Sequence, residues 1–234
     1  GGGTIYFPNG EYRFCCTREL TNDGGLIDCA VRCYSNVSIV GESIDQTVFR
    51  LTGTGLTLID GQHIGYALFG FAGRSADTLS NCTFSDFTIE AEDELSALSE
   101  TDSTYSATAK GFAFEYVRDC TFERIRIEDT PATGLGIDFL SNVVITEIQC
   151  DNCGANWRDD NGGEGGAGIG IGTGAWYGKI PIPNESFIVY NCVCQGCGHF
   201  GIFIEDQIRW AVEDEASYPA GSYIVDNTVE NNRF

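Results

Sequence analysis

The chain has 234 residues, of which 34 are acidic and 13 are basic, so its formal charge at pH 7 is −21. A surface this acidic repels phosphate backbones, which argues against nucleic acid as a partner. With 42% hydrophobic residues the chain can bury a core, but no apolar run reaches about 18 residues, so we expect no membrane insertion.

The basic residues are unusual in kind, because only Lys110 and Lys179 are lysines. Acidic excess with little lysine is typical of proteins from brine or from high-salt cytoplasm, where salt screens the repulsion between carboxylates. An acidic extracellular protein from an ordinary habitat is the alternative interpretation.

Short segments of alternating apolar and polar residues repeat along the chain. They cover 36–43, 81–93, 119–134, 142–154, 186–198 and 222–232, and we interpret 48–61 as one further copy. A second short strand precedes most of them, at 30–35, 67–73, 111–117, 135–140, 168–174 and 201–206. Two or three short strands per repeat, joined at Asn or Gly corners, predict a parallel β-solenoid of roughly seven coils with loop insertions.

Aligning the segments places like residues in columns, which would stack at about 4.8 Å in a solenoid. One predicted column contains Val37, Cys82, Cys120, Val143, Phe187 and Tyr223. The next inward column contains Ile39, Phe84, Phe122, Ile145, Val189 and Val225. A β-sandwich would not need this shared phase.

The opening GGGTIYFPNGEYRF resembles the first coil of the pectin lyase-like, single-stranded right-handed parallel β-helix superfamily. The matching residues are Gly2, Gly3, Thr4, Ile5, Phe7, Pro8, Gly10 and Tyr12. The resemblance implies one all-β β-helix domain over 1–234. In the superfamily a capping helix precedes this motif, so we expect that N-terminal cap to be missing here or to lie upstream.

The superfamily contains lyases, hydrolases, epimerases, phage tailspikes and non-catalytic adhesins, so it implies a fold more firmly than an activity. Sugar-chain cleavage needs carboxylates on an exposed strand face, and lyase or epimerase chemistry needs a base beside a uronate. Strand ends supply Glu115, Asp138, Glu205 and Asp206, and the first three are expected to share a column. The alternative is that acidic residues this abundant decorate any outward face.

Two enzyme families within the superfamily can be compared with the stretch TGLGIDFLS (133–141). The polygalacturonase pattern has Asp where this chain has Leu135, and its Gly-His-Gly motif is only approximated around His199. The alginate-type C5-epimerase motif matches at Asp138 but has Leu140 and Ser141 where its His and Glu partners stand. The resemblance therefore leaves Asp138 as the main catalytic candidate, with His199 and Tyr177 as proton-transfer partners.

Two insertions, 155–166 and 175–186, leave their coils at similar phases and are expected to flank one groove. They supply residues suited to stacking on sugars and pairing with uronate or sulfate groups, namely Trp157, Arg158, Trp176, Tyr177 and Lys179. Alternatively these side chains pack the loops onto the body or form an oligomer contact.

Further candidates concern calcium and glycans. Asp159 and Asp160 in the first insertion are candidate calcium ligands, although acidic Gly-rich loops often hold only water. Asn184 is the preferred glycosylation acceptor, whereas the sequons at Asn36 and Asn81 are interpreted as coil corners, since Asn tolerates the left-handed region.

The pairs CDNCG (150–154) and CQGCG (194–198) look like zinc-ribbon knuckles. The repeat instead places Cys150 with Cys194, and Cys153 with Cys197, on neighbouring coils. Three interpretations remain open: reduced buried ladders, coil-to-coil disulfides, and a zinc site.

From these features we expect an extracellular or virion-surface β-helix that binds acidic polysaccharide and cleaves or epimerises it as a lyase, hydrolase or epimerase. The alternative is a non-catalytic tail fibre, adhesin or filament subunit of a halophile or its virus, assembled as a trimer or filament. No cofactor other than calcium is expected.

Overall fold

The computed structural model describes residues 1–15, 28–52, 66–73, 76–92, 110–154, 166–174, 182, 184–198, 200–206 and 226–230. All the regular elements within these ranges are strands. In chain order they are β1 (Gly3–Phe7), β2 (Gly10–Cys15), β3 (Asp28–Arg32), β4 (Val37–Gly41), β5 (Thr47–Thr52), β6 (Tyr66–Ala72), β7 (Leu79–Ser80), β8 (Thr83–Ala91), β9 (Lys110–Arg118), β10 (Thr121–Glu128), β11 (Leu135–Ser141), β12 (Val143–Asp151), β13 (Ala167–Thr173), β14 (Ser186–Tyr190), β15 (Val193–Gln195), β16 (Phe200–Asp206) and β17 (Asp226–Glu230).

The strands form two parallel sheets that face each other across the core. Sheet A runs β1-β4-β8-β10-β12-β14-β17, with β2, β5 and β15 pairing beside this path. Sheet B runs β3-β6-β9-β11-β13-β16, with β7 beside β9. The chain alternates between the sheets, so each passage is one coil of a parallel β-helix, and the seven rungs of sheet A confirm the predicted coil number within the described residues. This part of the chain contains no helix long and apolar enough to cross a membrane.

The predicted inward columns are confirmed over most of sheet A. Ile39 pairs with Phe84, which pairs with Phe122, and the column continues through Ile145 to Val189. All five side chains are buried. The rings of Phe84 and Phe122 stack with centroids 5.0 Å apart and planes 6° apart, as one-coil spacing dictates.

The predicted register of the last coil is wrong. Phe187 pairs with Asn227 and Val189 with Val229, not with Tyr223 and Val225, which lie outside the described residues. A shift of four residues leaves the apolar–polar alternation of the two sequences in phase, because strand alternation has a period of two. Alternation alone therefore could not distinguish the two registers.

The segment 48–61 is not a further copy of the repeat. Its described part is β5, which pairs with β2 and with the second half of β8. It therefore continues the coil that β4 begins, after a turn over 42–46 that splits one long strand into two.

The coils turn at corner residues with left-handed backbone angles. One corner column contains Asn36, Asn81, Asp119 and Asn142, with φ between 52° and 64°. Asn142 Nδ2 donates to Asp119 Oδ1 at 2.7 Å, and Asn81 Nδ2 donates to Asn36 Oδ1 at 3.2 Å. These residues suit the corner because short polar side chains tolerate this region and bond along the column. The predicted corner role of Asn36 and Asn81 is confirmed.

Candidate functional site

A column of acidic residues lies on sheet B. Glu115 of β9 pairs directly with Asp138 of β11, which pairs with Gly172 of β13, which in turn pairs with Glu205 of β16. The predicted column is therefore confirmed, with a glycine in place of a fourth acid. Successive Cα atoms stand about 4.8 Å apart in such a ladder, so Glu115 and Asp138 are neighbours and Glu205 lies about 9.6 Å from Asp138.

Strand alternation places this column on the outer side of sheet B. The residues that precede Glu115 and Asp138, namely Phe114 and Ile137, are buried in the core. Glu115 is itself buried to 8% exposure, whereas Asp138 and Glu205 are partly exposed. The row of acids is therefore shielded from solvent at Glu115 and partly accessible to solvent at Asp138 and Glu205.

Small residues form the adjacent outward column. Gly70, Ala113, Gly136 and Gly170 follow one another in register, and Phe203 comes next. These four positions carry at most a methyl group, and we call this strip of small residues beside the acids the trough; the Thr133 side chain packs against it, with Cγ2 3.1 Å from the position that a Cβ atom at Gly170 would occupy. The rings of Phe203 and Phe200 stack, with centroids 4.9 Å apart and planes 15° apart.

Lys110, the first residue of β9, reaches over this trough. Its Cδ atom lies 3.9 Å from the position that a Cβ atom at Gly136 would occupy. An amino group close to the acidic row can neutralise a substrate carboxylate or a neighbouring acid. Lys110 was not predicted as a site residue, because the sequence pattern shows the small residues of the flanking strands but not the path of a flexible side chain across them.

The outer face of sheet A differs, because it is occupied by ion pairs. Arg50 NH1 lies 2.6 Å from Glu90 Oε1, and Arg126 NH2 lies 2.9 Å from Asp45 Oδ1. Large paired side chains cover this face, so the trough on sheet B is the better surface for a flat ligand.

Several predicted site residues cannot be placed. His199 lies outside the described residues, and so do the insertion residues, namely Trp157, Arg158, Asp159, Asp160, Trp176, Tyr177 and Lys179. The backbone of Asp206 pairs with Thr173, one position beyond the acidic column. The roles predicted for these residues stay predictions.

The positions at which the enzyme motifs fail are structural. Leu135 and Leu140 are fully buried and belong to the hydrophobic core. Ser141 Oγ donates to the backbone oxygen of Asn184 at 3.1 Å. Neither leucine can take part in proton transfer on the outer face.

Asn184, the predicted glycan acceptor, is exposed and has a φ of 57°. It therefore shares the left-handed backbone of Asn36 and Asn81, a similarity that the sequence interpretation did not foresee. The hydroxyl of Ser186, which completes the sequon, accepts a hydrogen bond from the Asn142 backbone N–H at 2.9 Å.

The four cysteines of the paired motifs stack as predicted. Cys150 and Cys194 are direct partners between β12 and β15, and Cys153 and Cys197 follow three residues later on each coil. All four are free thiols. Within the described ranges no group of three or more His, Cys, Asp or Glu side chains is arranged to hold a metal ion, so the zinc interpretation is not supported.

Comparisons with known proteins agree with this architecture. The ORF18 protein of Geobacillus virus E2 superposes with a TM-score of 0.55 at 12% identity, over 99% of this chain and 34% of that one. The A-module of the Azotobacter vinelandii mannuronan C-5 epimerase AlgE4 superposes with a TM-score of 0.50 at 17% identity, over 99% of this chain and 59% of that one. The chain thus spans about a third and three fifths of these structures.

A search of curated protein sequences gives no match. A family described as "right handed beta helix region" matches residues 68–234, which is most of the chain. This chain belongs to the right-handed β-helix family.

Proposed function

We propose that this protein binds a polysaccharide chain in the trough on sheet B and acts on it with the acidic column. The observation that carries the proposal is the direct pairing of Glu115 with Asp138 beside a floor of small residues. A floor of glycine and alanine lets a sugar ring approach the backbone closely, and the partly exposed Asp138 borders this floor while its strand partner Glu115 is buried.

The chemistry that this arrangement favours is proton transfer. Under this proposal one of the two carboxylates donates a proton to the substrate and the other accepts one, within a single site. Asp138, which is the more exposed of the two, is the proposed base.

We further propose a polyuronate as the first substrate class to test. The Lys110 side chain reaches Gly136, two residues before Asp138, and would supply a cation that neutralises the uronate carboxylate and so acidifies the adjacent C–H bond. One structural neighbour is an epimerase of mannuronan, a polyuronate. Because this chain is strongly acidic, binding of a polyanion is expected to need screening salt or calcium.

The proposed function also implies a place of action. Because the proposed substrate is a polysaccharide, we propose an extracellular or virion-surface location. We also propose that calcium and the two insertions complete the site, and that the protein assembles as a trimer or filament.

The proposal is tested by incubating the protein with polymannuronate, polygalacturonate and a neutral glucan, with and without calcium, in low and high salt. Unsaturated uronate absorbance reports lyase activity, new reducing ends report hydrolysis, and proton NMR of the polymer reports epimerisation. Asp138→Asn is expected to lower the rate at least 100-fold, as expected for loss of a general base.

Asp151→Asn is the matched control. Asp151 lies on the outer face of sheet A, is exposed, and accepts a hydrogen bond from Gln195 at 3.0 Å. The substitution Asp151→Asn makes the same chemical change as Asp138→Asn but on sheet A, so it should leave the rate of product formation unchanged. Equal rates for Asp138→Asn and the unmodified protein would contradict the catalytic proposal.

A second candidate function is a non-catalytic fibre, adhesin or filament subunit. It is favoured by the buried Leu140, which stands where the epimerase motif has histidine. If none of the three products forms while a labelled polysaccharide still binds in the trough, this function is the better one. Loss of binding in Gly136→Val, which fills the trough floor, would then locate the surface.

A further inference from the structure

The four cysteines at the corner after β12 and β15 form a connected set, here named the thiol quartet: Cys150, Cys153, Cys194 and Cys197. Cys150 Cβ and Cys194 Sγ lie 2.9 and 3.0 Å from the position that a Cβ atom at Gly168 would occupy, so these two side chains share one space. The neighbouring thiols of Cys153 and Cys194 raise the pKa of Cys150, and those of Cys150 and Cys197 lower the pKa of Cys153. The four thiols are therefore neighbours in the order 194, 150, 153, 197.

The backbone holds the two coils in register at this corner. Cys150 and Cys194 are direct Cα partners in the parallel ladder. Three residues later the Gly198 N–H donates to the Cys153 carbonyl oxygen at 2.9 Å, so the second pair stays aligned. Ladder partners stand about 4.8 Å apart, inside the range of roughly 4.4–6.8 Å that a disulfide accepts.

The space for the sulfur atoms is provided by two glycines, Gly134 just before β11 and Gly168 of β13. A Cβ atom at Gly134 would lie 2.8 Å from Cys153 Sγ, and one at Gly168 would lie 3.0 Å from Cys194 Sγ. Any side chain at either position would collide with the quartet. Glycine at these two positions is therefore required for Cys153 and Cys194 to occupy the corner.

Access to solvent differs sharply within the quartet. Cys150, Cys153 and Cys194 are at most 1% exposed, whereas Cys197 is partly exposed. A reagent from solution can therefore meet only Cys197 directly. The other three sulfur atoms can be oxidised only by thiol–disulfide exchange that starts at Cys197 and passes between neighbouring cysteines.

We propose that the thiol quartet is a redox site in which Cys197 reacts with a low-molecular-weight disulfide and Cys153 resolves the product into a disulfide between coils. In the first step the Cys197 thiolate attacks one sulfur of the external disulfide, forms a mixed disulfide and releases one thiolate. In the second step the Cys153 thiolate attacks the Cys197 sulfur and releases the other. Two protein thiols are oxidised, and one external disulfide is reduced to two thiols.

The inner pair is oxidised by exchange along the same contacts. Cys150 attacks Cys153 and frees Cys197, and then Cys194 attacks Cys150 and frees Cys153. A second external disulfide re-forms the outer bond, so four protein thiols and two external disulfides give two protein disulfides and four small thiols. The thiols of Cys150 and Cys197 lower the pKa of Cys153, which favours the thiolate that the resolving step needs. The contact with Cys153, together with burial, raises the pKa of Cys197, so the attack of Cys197 on the external disulfide is expected to be the slower of the two steps.

The site is distinct from the proposed glycan trough, and its role is to fasten neighbouring coils. Each disulfide would join residues 44 positions apart (197 − 153 and 194 − 150). Closing loops of this length restricts the unfolded chain, and the oxidised protein is expected to melt roughly 5–10 °C higher than the reduced protein.

The test is to incubate the reduced, folded protein with oxidised glutathione, quench free thiols with iodoacetamide at intervals, and map disulfides by peptide mass spectrometry. The expected first product links Cys153 to Cys197, followed by a link between Cys150 and Cys194. Cys197→Ser should slow oxidation of the other three cysteines at least 10-fold. The control is Cys29→Ser, which removes another partly exposed cysteine and should leave the mapped rates unchanged.

Three results would overturn the proposal: a quartet that stays reduced, a stable mixed disulfide between glutathione and Cys197, or a first bond between Cys150 and Cys153. Circular dichroism of each variant before oxidation establishes that it is folded. If Cys197→Ser does not fold, the order of bonds in the unmodified protein still decides between the outcomes.

Discussion

Arg124 of β10 binds Asp86 of β8 through two hydrogen bonds, 2.6 Å from Nε to Oδ1 and 3.0 Å from Nη2 to Oδ2. Both residues have left-handed backbone angles, with φ of 50° and 65°. Each of them lies inside its strand, at a single residue with left-handed backbone angles. The ion pair therefore joins two coils at positions where the backbone of a non-glycine residue is strained.

The first prediction is that Asp86→Asn lowers the free energy of unfolding by about 1 kcal/mol at pH 7, because a charge-assisted bidentate pair is lost. Asparagine tolerates the left-handed angle, so the change isolates the charge. The hydrogen bonds from Arg124 lower the pKa of Asp86 below its ordinary value of 3.8. The pair therefore stabilises the fold above that value, and its contribution is lost as the pH falls through the folded-state pKa.

Urea unfolding at several pH values checks this prediction. The difference in the free energy of unfolding between Asp86→Asn and the unmodified protein should be constant from pH 7 to about pH 4 and should become smaller below that. Asp45→Asn is the control, since Asp45 pairs with Arg126 while 69% exposed and should contribute within about 0.5 kcal/mol. A difference for Asp86→Asn that does not change with pH would show that charge is not its cause.

The second prediction concerns the corner column. Asn142 has a φ of 55° and donates to Asp119 Oδ1 at 2.7 Å. Asn142→Ala loses this bond and places a methyl group in the left-handed region, and we expect a loss of about 2 kcal/mol of stability. Asn142→Gly loses only the bond and should cost about half as much. Equal losses in chemical unfolding would mean that backbone strain plays no part.

Sequence reasoning predicted most of this fold because each coil repeats the same phase. Phe112 pairs with Leu135 at a spacing that aligning strand segments recovers directly. It failed at the last coil, where pairing of Val189 with Val229 rather than Val225 leaves the alternation unchanged. Register there depends on side chains packing between coils, which a single strand pattern does not contain.

The candidate site was predictable only in part. The column of Glu115, Asp138 and Glu205 follows from the same alignment that gives the core. The position of Lys110 over Gly136 does not, because it depends on a flexible side chain lying across a residue that has none. Residues in the insertions carry no strand period, so alignment could not place them.

The third prediction tests two glycines near the start of β11. Gly134→Ala would place Cβ 2.8 Å from Cys153 Sγ and 2.9 Å from the Gly168 carbonyl oxygen. We expect a loss of about 1–3 kcal/mol in the free energy of unfolding, because the backbone must shift. The melting temperature before and after reduction with dithiothreitol measures the effect in both redox states.

Gly136→Ala is the matched control for Gly134→Ala. Its nearest contact would be the Phe112 carbonyl oxygen at 3.2 Å, and the next atoms lie at 3.8 Å or beyond. The added methyl group therefore faces the trough, and the loss of stability should be less than about 1 kcal/mol. If the two substitutions cost the same, the sulfur atoms do not fill the space beside Gly134.

The fourth prediction concerns Glu128 on the outer face of sheet A, where its direct strand partners are Glu90 and Asp151. Burial raises the pKa of Glu128 above its ordinary value of 4.5, and nearby Arg126 lowers it. Neighbouring carboxylates add to the rise, namely those of Glu90, Asp129 and Asp151. A raised folded-state pKa means that the neutral acid suits the fold better than the ionised acid. The ionised side chain therefore costs stability as the pH rises through that pKa.

Glu128→Gln should consequently raise the melting temperature at pH 7 and low ionic strength, and the gain should shrink at 1 M salt. At about pH 3 and below the two proteins should agree, because Glu128 is then almost entirely neutral in both the folded and the unfolded state. Glu90 lies in the same column as the direct partner of Glu128, yet its Oε1 lies 2.6 Å from Arg50 NH1. Glu90→Gln should therefore lower stability by about 1 kcal/mol under the conditions where Glu128→Gln raises it. Opposite signs for two neighbouring glutamates would separate pairing with arginine from repulsion within the column, whereas a common sign would mean that net charge alone governs stability.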